Sequence, residues 1–347
     1  MYKFLIRPLL FLLNPERVHH LLVQFLSAVF RFPGIYLLIS RIFTVKHHSL
    51  EREFLGLHFS SPVGLAAGFD KDAKLIHPLS AFGFGFIEIG TVTPEPQPGN
   101  PKPRLFRVKQ DEALINRMGF NNLGVEQVIN NLRYLKRSND IIIGGNIGKN
   151  TSTPNNKAAK DYLTCFRKLY NYVDYFVANV SCPNISDIRE LQEKDLLLDI
   201  LENLLKEREG KDKKKPVLLK ISPDLNYSQL DDVIDIYFTS GIDGLVVTNT
   251  TITRYDLTIS PTKIDKIGNG GLSGSPLRKR STEVIQYIHQ KSLGKIPMIG
   301  VGGIMSPRDA LDKLEAGATL IQVYTGFIYE GPAFMKRINK RIIKEYQ

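Results

Sequence analysis

The chain opens on MYKFLIRPLLFLL (residues 1–13), a nearly all-apolar run broken only by Lys3, Arg7 and Pro8. As a helix this run would reach roughly 20 Å, short of a bilayer core of ~30 Å, so it is not expected to cross a membrane. Asn14-Pro15-Glu16-Arg17 offers no small-residue cleavage site. It reads instead as a helix start, with Asn14 as N-cap, Pro15 as first helical residue and Glu16 favoured by the helix dipole. Val18, Leu21, Leu22, Phe25, Leu26 and Val29 then recur at helical spacing as one apolar stripe. His19 falls on the edge of that stripe and His20 on the opposite face. A second apolar patch, Ile35 to Ile39, follows Pro33-Gly34. Short helices of this kind either lie in a membrane interface or pack as a hairpin on the main domain, and the pattern leaves both open.

After residue 45 short β-rich runs alternate with helical stretches, the signal of parallel βαβ units. The strands expected are Val63–Ala67, Gly85–Thr91, Ile141–Ile147, Tyr175–Ser181, Pro216–Ser222, Gly244–Asn249, Met298–Gly302 and Thr319–Thr325. Eight such units predict an α/β fold closed as a (β/α)8 barrel. In that architecture the carboxyl ends of the strands converge on one mouth, so the residues there should face a common pocket. They are unusually polar or glycine-rich: Gly68-Phe69-Asp70-Lys71, Thr91, Asn146 to Asn150, Asn179 to Asn184, Lys220 to Pro223, Thr248-Asn249-Thr250, Gly300 to Gly303 and Tyr324-Thr325-Gly326.

Composition narrows the class. At 347 residues with 43% apolar content the chain is neither disordered nor a small disulfide-stapled scaffold. Its formal charge of +11 allows an anionic membrane face or nucleic acid as partner. Cys165 and Cys182 form no CxxC pair, which points to a reducing compartment and away from a cysteine-rich metal site. The run Lys211 to Lys215 reads as a solvated loop, and Cys165, beside Leu163 and Phe166, as a small buried hydrophobe.

Within the inferred mouth, Gly300 to Gly303 and Tyr324 to Gly326 suit a phosphate held on backbone N–H groups, although each alone could be a turn. Gly270 to Gly274 would let backbone approach a ligand closely. Lys71 and Lys220 at strand ends imply an anionic or dipolar ligand, since a lysine in such a place is costly without a negative partner. Asn116, Asn179, Asn184 and Asn249 can each donate and accept, which suits a flat ring with alternating carbonyls and N–H groups. None of the seven histidines falls in these loops, so no metal is expected.

The runs LAAGFDK (65–71), GTVTPEPQPGN (90–100), PRLFR (103–107), NRMGFNNLG (116–124), NIGKN (146–150) and GGLSGSPL (270–277) closely resemble quinone-dependent (class 2) dihydroorotate dehydrogenases along essentially the whole chain. The resemblance implies a TIM barrel over residues 46–347 that binds FMN. It also implies a helical extension over residues 1–45 that associates with the cytoplasmic side of the cell membrane as a peripheral anchor and admits quinone. The implied reaction is oxidation of (S)-dihydroorotate to orotate in pyrimidine biosynthesis, with hydride passed to FMN and electrons to a membrane quinone. An anionic membrane surface is the expected partner, and nucleic acid is not.

Carried over by position, Ala67, Gly68, Phe69, Asp70, Lys71 and Thr91 would contact FMN from the first two strands. Asn146, Asn179, Lys220 and Thr248 would do so from the next four, and Gly274, Gly303, Tyr324 and Thr325 from the phosphate side. Substrate would be held by Lys71, by Asn116, Arg117, Met118, Gly119 and Phe120, and by Asn179, Asn184, Asn249 and Thr250. His19, Arg107 and Tyr324 would line the quinone approach. His19 could equally be a boundary histidine and Arg107 a surface cation. Cys182 is placed as the general base. Quinone-linked members usually carry serine here and the soluble class cysteine, but residues 1–45 match only the quinone class. A thiol, with an ordinary pKa of ~8.5, is the better base near neutrality.

Three rival readings follow from the same residues. A soluble fumarate- or NAD-linked dihydroorotate dehydrogenase shares the barrel chemistry. A flavin-dependent tRNA dihydrouridine synthase also pairs a flavin barrel with a cysteine, but would be expected to carry an RNA-binding carboxyl-terminal domain where this chain has one helix. A membrane-binding module without catalysis would hold no flavin.

Overall fold

The computed structural model describes residues 2–135, 141–180, 194–255 and 257–347. The strands in chain order are β1 (Arg52–Phe54), β2 (Leu57–Phe59), β3 (Val63–Leu65), β4 (Phe86–Val92), β5 (Leu105–Val108), β6 (Ala113–Asn116) and β7 (Ile142–Ile147). They continue as β8 (Tyr175–Asn179), β9 (Val217–Ile221), β10 (Gly244–Val247), β11 (Gly271–Gly274), β12 (Met298–Val301) and β13 (Leu320–Val323). Eight of these, in the order β3-β4-β7-β8-β9-β10-β12-β13, pair in parallel and close into a barrel. They are the eight strands expected: seven are shorter by a residue or more at their ends, and β4 keeps its expected length but is shifted one residue later, to Phe86–Val92. The (β/α)8 architecture read from the sequence is therefore the one observed.

The strands are buried on both faces, as a parallel barrel wrapped in helices requires, which explains their continuous apolar runs. Phe86 fills the base of the interior, and a Cβ at Gly64 would lie 2.4 Å from its ring, so Gly64 makes room for it. Below this layer the antiparallel hairpin β1–β2, which the sequence reading passed over, caps the amino-terminal end. Its Phe59 meets Phe86 edge to face at 5.3 Å, and both Phe54 and Phe59 join the interior cluster. Each such aromatic, fully buried, contributes about 1.5–3 kcal/mol.

A second unanticipated element is a three-stranded antiparallel sheet, β11-β6-β5, standing over the opposite end. The glycine-rich Gly271–Gly274, read from sequence as a ligand-approach loop, is its edge strand. The sheet carries the loops that roof the mouth.

Ahead of the barrel come helices α1 (Arg7–Leu10), α2 (Pro15–Val29) and α3 (Ile35–Phe43). Asn14 caps α2 as expected, its Oδ1 accepting from Glu16 N at 3.0 Å and Arg17 N at 3.2 Å. The apolar stripe of α2 is only half docked: Leu26 is buried, while Leu21 and Phe25 stay exposed. Phe4, Leu9, Leu12, Phe32, Leu37 and Leu38 are exposed too. No described helix is long and apolar enough to cross a membrane. The docked side packs Leu22, Val23, Leu26, Phe30, Ile39 and Phe43 on the main core, and polar and aromatic contacts add to this. Tyr2 donates to Ile328 O at 2.6 Å, Tyr36 stacks on His77 at 4.6 Å, and Glu16 pairs with Arg104.

Candidate active site

Seven of the eight barrel strands bring residues at their carboxyl ends to a cavity of about 760 Å³; Asn146, on β7, is not among its lining residues but is hydrogen-bonded to ones that are. The cavity floor is an amide and hydroxyl network. Thr91 donates to Asn146 Oδ1 at 2.6 Å, and Asn179 Nδ2 donates to Thr91 Oγ1 at 2.9 Å and to Asn146 Oδ1 at 3.2 Å. Asn249 Nδ2 reaches Asn179 Oδ1 at 3.3 Å, while its own Oδ1 accepts from Thr250 N at 2.8 Å. Four strand ends are thereby tied into one polar ring; of the asparagines singled out in the sequence, Asn179 and Asn249 belong to it, while Asn116 donates to Gly271 O. Lys220 is buried beside this ring and lines the cavity.

A deeper layer went unread in the sequence. Glu88, on β4, is fully buried inside the barrel. It accepts from Asn146 Nδ2 at 2.8 Å and from Gln322 Nε2 at 2.6 Å, and stands 3.9 Å from Lys220 Nζ. Its sequence signal was an acid inside the otherwise apolar run Phe86-Ile87-Glu88-Ile89, since a buried carboxylate needs partners.

The wall on the side of β3 is Ala67 to Lys71. The carboxyl group of Asp70 turns back to accept from Lys74 N and Leu75 N, at 2.8 and 2.7 Å. Burial nonetheless pushes its pKa up to about 6. Its backbone, and not its side chain, is therefore what it offers the cavity. Lys71 Nζ donates to Asn121 Oδ1, a partner the sequence reading did not single out.

The loop 116–124 is pinned by Asn122, which accepts from Gly124 N at 2.9 Å and donates to Phe120 O at 2.7 Å. Gly119, at φ 71°, packs where a Cβ would meet Asn100 at 2.8 Å. Asn116, Met118, Gly119 and Phe120 line the cavity. Arg117 does not: its guanidinium donates to the carbonyls of Ile267 and Asn269 on the outer side and stacks over Phe106 at 4.6 Å.

On the far wall, Gly274 and Gly303 line the cavity with φ of 98° and 71°. A Cβ at Gly303 would lie 2.2 Å from Arg278 Cα, and one at Gly274 would lie 2.3 Å from Glu112 O. Only glycine lets these loops converge. Thr325 Oγ1 and Ser273 Oγ share a hydrogen bond of 2.8 Å beside them.

The cavity continues from this polar interior to α2, where Val18, His19, Leu22, Phe25 and Leu26 form its outer wall. His19 packs edge to face on Phe69 at 5.2 Å, and Phe69 on Tyr324 at 5.7 Å. Burial, with the charges of His20 and Lys71, brings the His19 pKa down to about 4. Burial alone lifts Tyr324 to about 12. Arg107 also lines the cavity, its Nη1 donating to Leu13 O at 2.7 Å and its guanidinium lying 4.5 Å over Phe11. Desolvation lowers its pKa, and the opposing effects of Tyr329 and Tyr2 are smaller.

The calls on Cys182 and Asn184 lie outside the described residues. Cys165 is buried, as expected, with its thiol pushed well up by desolvation and donating to Val92 O at 3.6 Å.

Comparison with known proteins places this geometry. The sequence model of the family described as dihydroorotate dehydrogenase matches residues 49–346. The dihydroorotate dehydrogenase (quinone) of Christiangramia forsetii is 55% identical over 345 residues, covering 99% of each chain. That of Cellvibrio japonicus is 46% identical, covering 95% of each. A crystal structure of DHODH from Eimeria tenella in complex with ferulenol superposes with a TM-score of 0.86 at 34% identity, covering 96% of this chain and 91% of that one. A barrel with a glycine-cradled mouth and an asparagine-ringed floor, matched over nearly its full length by these relatives, belongs to the dihydroorotate dehydrogenase family.

Proposed function

We propose that this chain oxidises (S)-dihydroorotate to orotate for pyrimidine biosynthesis, using FMN, and passes the electrons to a membrane quinone. The observation that carries this reading is the single continuous cavity, which joins a polar floor to an apolar passage against α2. A substrate of carbonyls, N–H groups and a carboxylate suits the first part, and a lipid-soluble acceptor the second.

The residues present fit FMN. Two loops that only glycine can bring together, at Gly274 and Gly303, make a backbone cradle suited to a phosphate beside Thr325. The buried ammonium of Lys220 suits the edge of a ring that gains negative charge. Buried Gln322 carries an Oε1 with no hydrogen-bond partner among the described residues and lines the same cavity. Bound there, FMN would supply the acceptor for the hydride.

The protein's own groups do the rest. Asn116, Asn179 and Asn249 offer donors and acceptors that fix the substrate ring in one register, and such fixing of near-attack geometry is worth several kcal/mol of barrel-imposed order. Lys71, oriented by Asn121, meets the substrate carboxylate. Cys182 is the proposed base, taking the proton from the carbon next to the one that gives up hydride. Asn184 is proposed to hold substrate from the same loop. Arg117, which lies outside the cavity lining and donates to Ile267 O and Asn269 O, would support this loop rather than touch the ligand. His19, neutral at physiological pH, with Arg107 and Tyr324, would line the quinone approach.

Residues 1–45 are proposed as the membrane-associating unit and 46–347 as the catalytic one. The exposed apolar side chains of α1, α2 and α3, on a chain of formal charge +11, support peripheral attachment to an anionic surface on the cytoplasmic side. The test is anaerobic mixing of the yellow protein with dihydroorotate, which should bleach the visible absorbance, followed by a soluble quinone, which should restore it. Absence of bleaching would defeat the dehydrogenase reading. Bleaching reversed by fumarate or NAD but not by quinone would reassign the acceptor.

A further inference from the structure

Glu88 sits one layer below the residues that line the cavity, and its two oxygens determine how several of them can point. Oε2 accepts from Gln322 Nε2 at 2.6 Å and from Tyr175 OH at 3.5 Å. Oε1 accepts from Asn146 Nδ2 at 2.8 Å and stands 3.9 Å from Lys220 Nζ. An ionised carboxylate only accepts, so both amides must turn their NH2 groups down toward it. Their carbonyl oxygens must then face the mouth. For Asn146 that oxygen receives Thr91 and Asn179, and Asn179 in turn receives Asn249. For Gln322 it leaves Oε1 buried with no hydrogen-bond partner among the described residues, on a residue that lines the cavity.

The same carboxylate is the acidic partner of Lys220, and both side chains are nearly or fully buried. At this depth one charge strongly influences the other, because little water screens them. Lys220 alone would present a full positive charge to whatever ring lies on the floor. Lys220 with Glu88 beneath it presents a charge largely offset.

We infer that Glu88 is a positioning residue for this reaction: it fixes the hydrogen-bonding sense of the cavity floor through Asn146 and Gln322 and offsets the charge of Lys220. It thereby sets how much more tightly the site holds a reduced, anionic flavin ring than an oxidised, neutral one. The inference rests on the flavin reading above and deepens it.

The experiment is a redox titration of the purified holoprotein with a reference dye, combined with FMN dissociation constants in both oxidation states. Glu88→Gln keeps the shape and removes the charge. The amide must also present an NH2 to one of two groups that are themselves donors, which forces Asn146 or Gln322 to turn over. The expected result is a midpoint potential moved positive, with reduced FMN gaining at least tenfold in affinity relative to oxidised FMN. Gln322→Met removes the unpartnered acceptor but leaves the charge pair, so overall FMN affinity should fall while the ratio between oxidation states holds. An unchanged ratio in folded, FMN-loaded Glu88→Gln overturns the inference. So does an equal ratio shift in Gln322→Met, which would trace the effect to packing. A Glu88→Gln chain that fails to fold would place the residue in barrel stability and overturns it also. A parent protein that binds no FMN would instead defeat the flavin reading itself.

Discussion

Arg104 donates from Nη2 and Nε to Glu16 Oε1 at 2.8 and 3.2 Å, joining α2 to the segment that sets Gln97 and Pro98 against the cavity. Both side chains are nearly buried, and Arg104 Nη1 also holds Pro98 O and Asn100 O. Burial raises the carboxyl pKa of Glu16, but the hydrogen bond and charge of Arg104, aided by Lys102, outweigh it and leave the pKa low. Removing one member of such a pair strands the other, at a cost of about 3–5 kcal/mol. Glu16→Ala should therefore lower denaturant stability by an amount of that order. Glu16→Leu with Arg104→Met should lose less than the sum of the single changes. Additive losses in the unfolding curves would show that the two side chains are not energetically coupled.

His19 gives a pH dependence of known sign. Its folded pKa of about 4 lies below the unfolded value of ~6.5, so protons bind preferentially to the unfolded chain. Stability is full above about pH 6.5 and declines as pH falls toward 4, by up to about 3 kcal/mol. His19→Phe should flatten this part of the Tm-against-pH curve. A curve with the same slope in parent and variant would remove His19 as its source.

For the proton, Cys182→Ala should keep FMN yet slow flavin reduction by dihydroorotate about 10²–10⁴-fold, the usual worth of a general base. Cys182→Ser should retain partial activity with its optimum moved to higher pH, because a hydroxyl is the weaker base near neutrality. Stopped-flow reduction rates across pH decide this, and a near-normal rate in the alanine variant would take the thiol out of the mechanism.

Attachment to lipid should depend on exposed side chains with no place in the barrel core. Leu9 is 67% exposed and Leu12 79%. Burying a leucine in an interface is worth about 2 kcal/mol. Leu9→Ser and Leu12→Ser should each reduce sedimentation with phosphatidylglycerol vesicles more than tenfold and leave flavin reduction unaltered. Undiminished co-sedimentation of both variants would disprove anchoring by this face.

Legibility of the sequence followed the physics of each element. The barrel strands were plain because each is buried on both faces and reads as a continuous apolar run between turn signals. β1 and β2 were not, since three-residue strands such as Arg52-Glu53-Phe54 carry too few positions to show a period. β11 read as a flexible glycine stretch because Gly271 and Gly274 are half of it, and only its pairing with β6 makes it a strand. At the site, Lys71, Asn179, Lys220 and Asn249 were legible by chemical type at strand ends. Glu88 and Gln322 were not, because which side of a fully buried strand faces the barrel axis depends on closure, a property no single segment carries. Arg117 shows the converse: its motif drew it toward the ligand, while carbonyls from a loop 150 residues away hold its side chain outside.

The hairpin carrying Phe54 and Phe59 makes the cylinder a vessel with a stoppered bottom. Traffic along the axis is thereby closed from below, so orotate and dihydroorotate must both come and go on the side of the mouth, a constraint set by aromatic rings far from the chemistry.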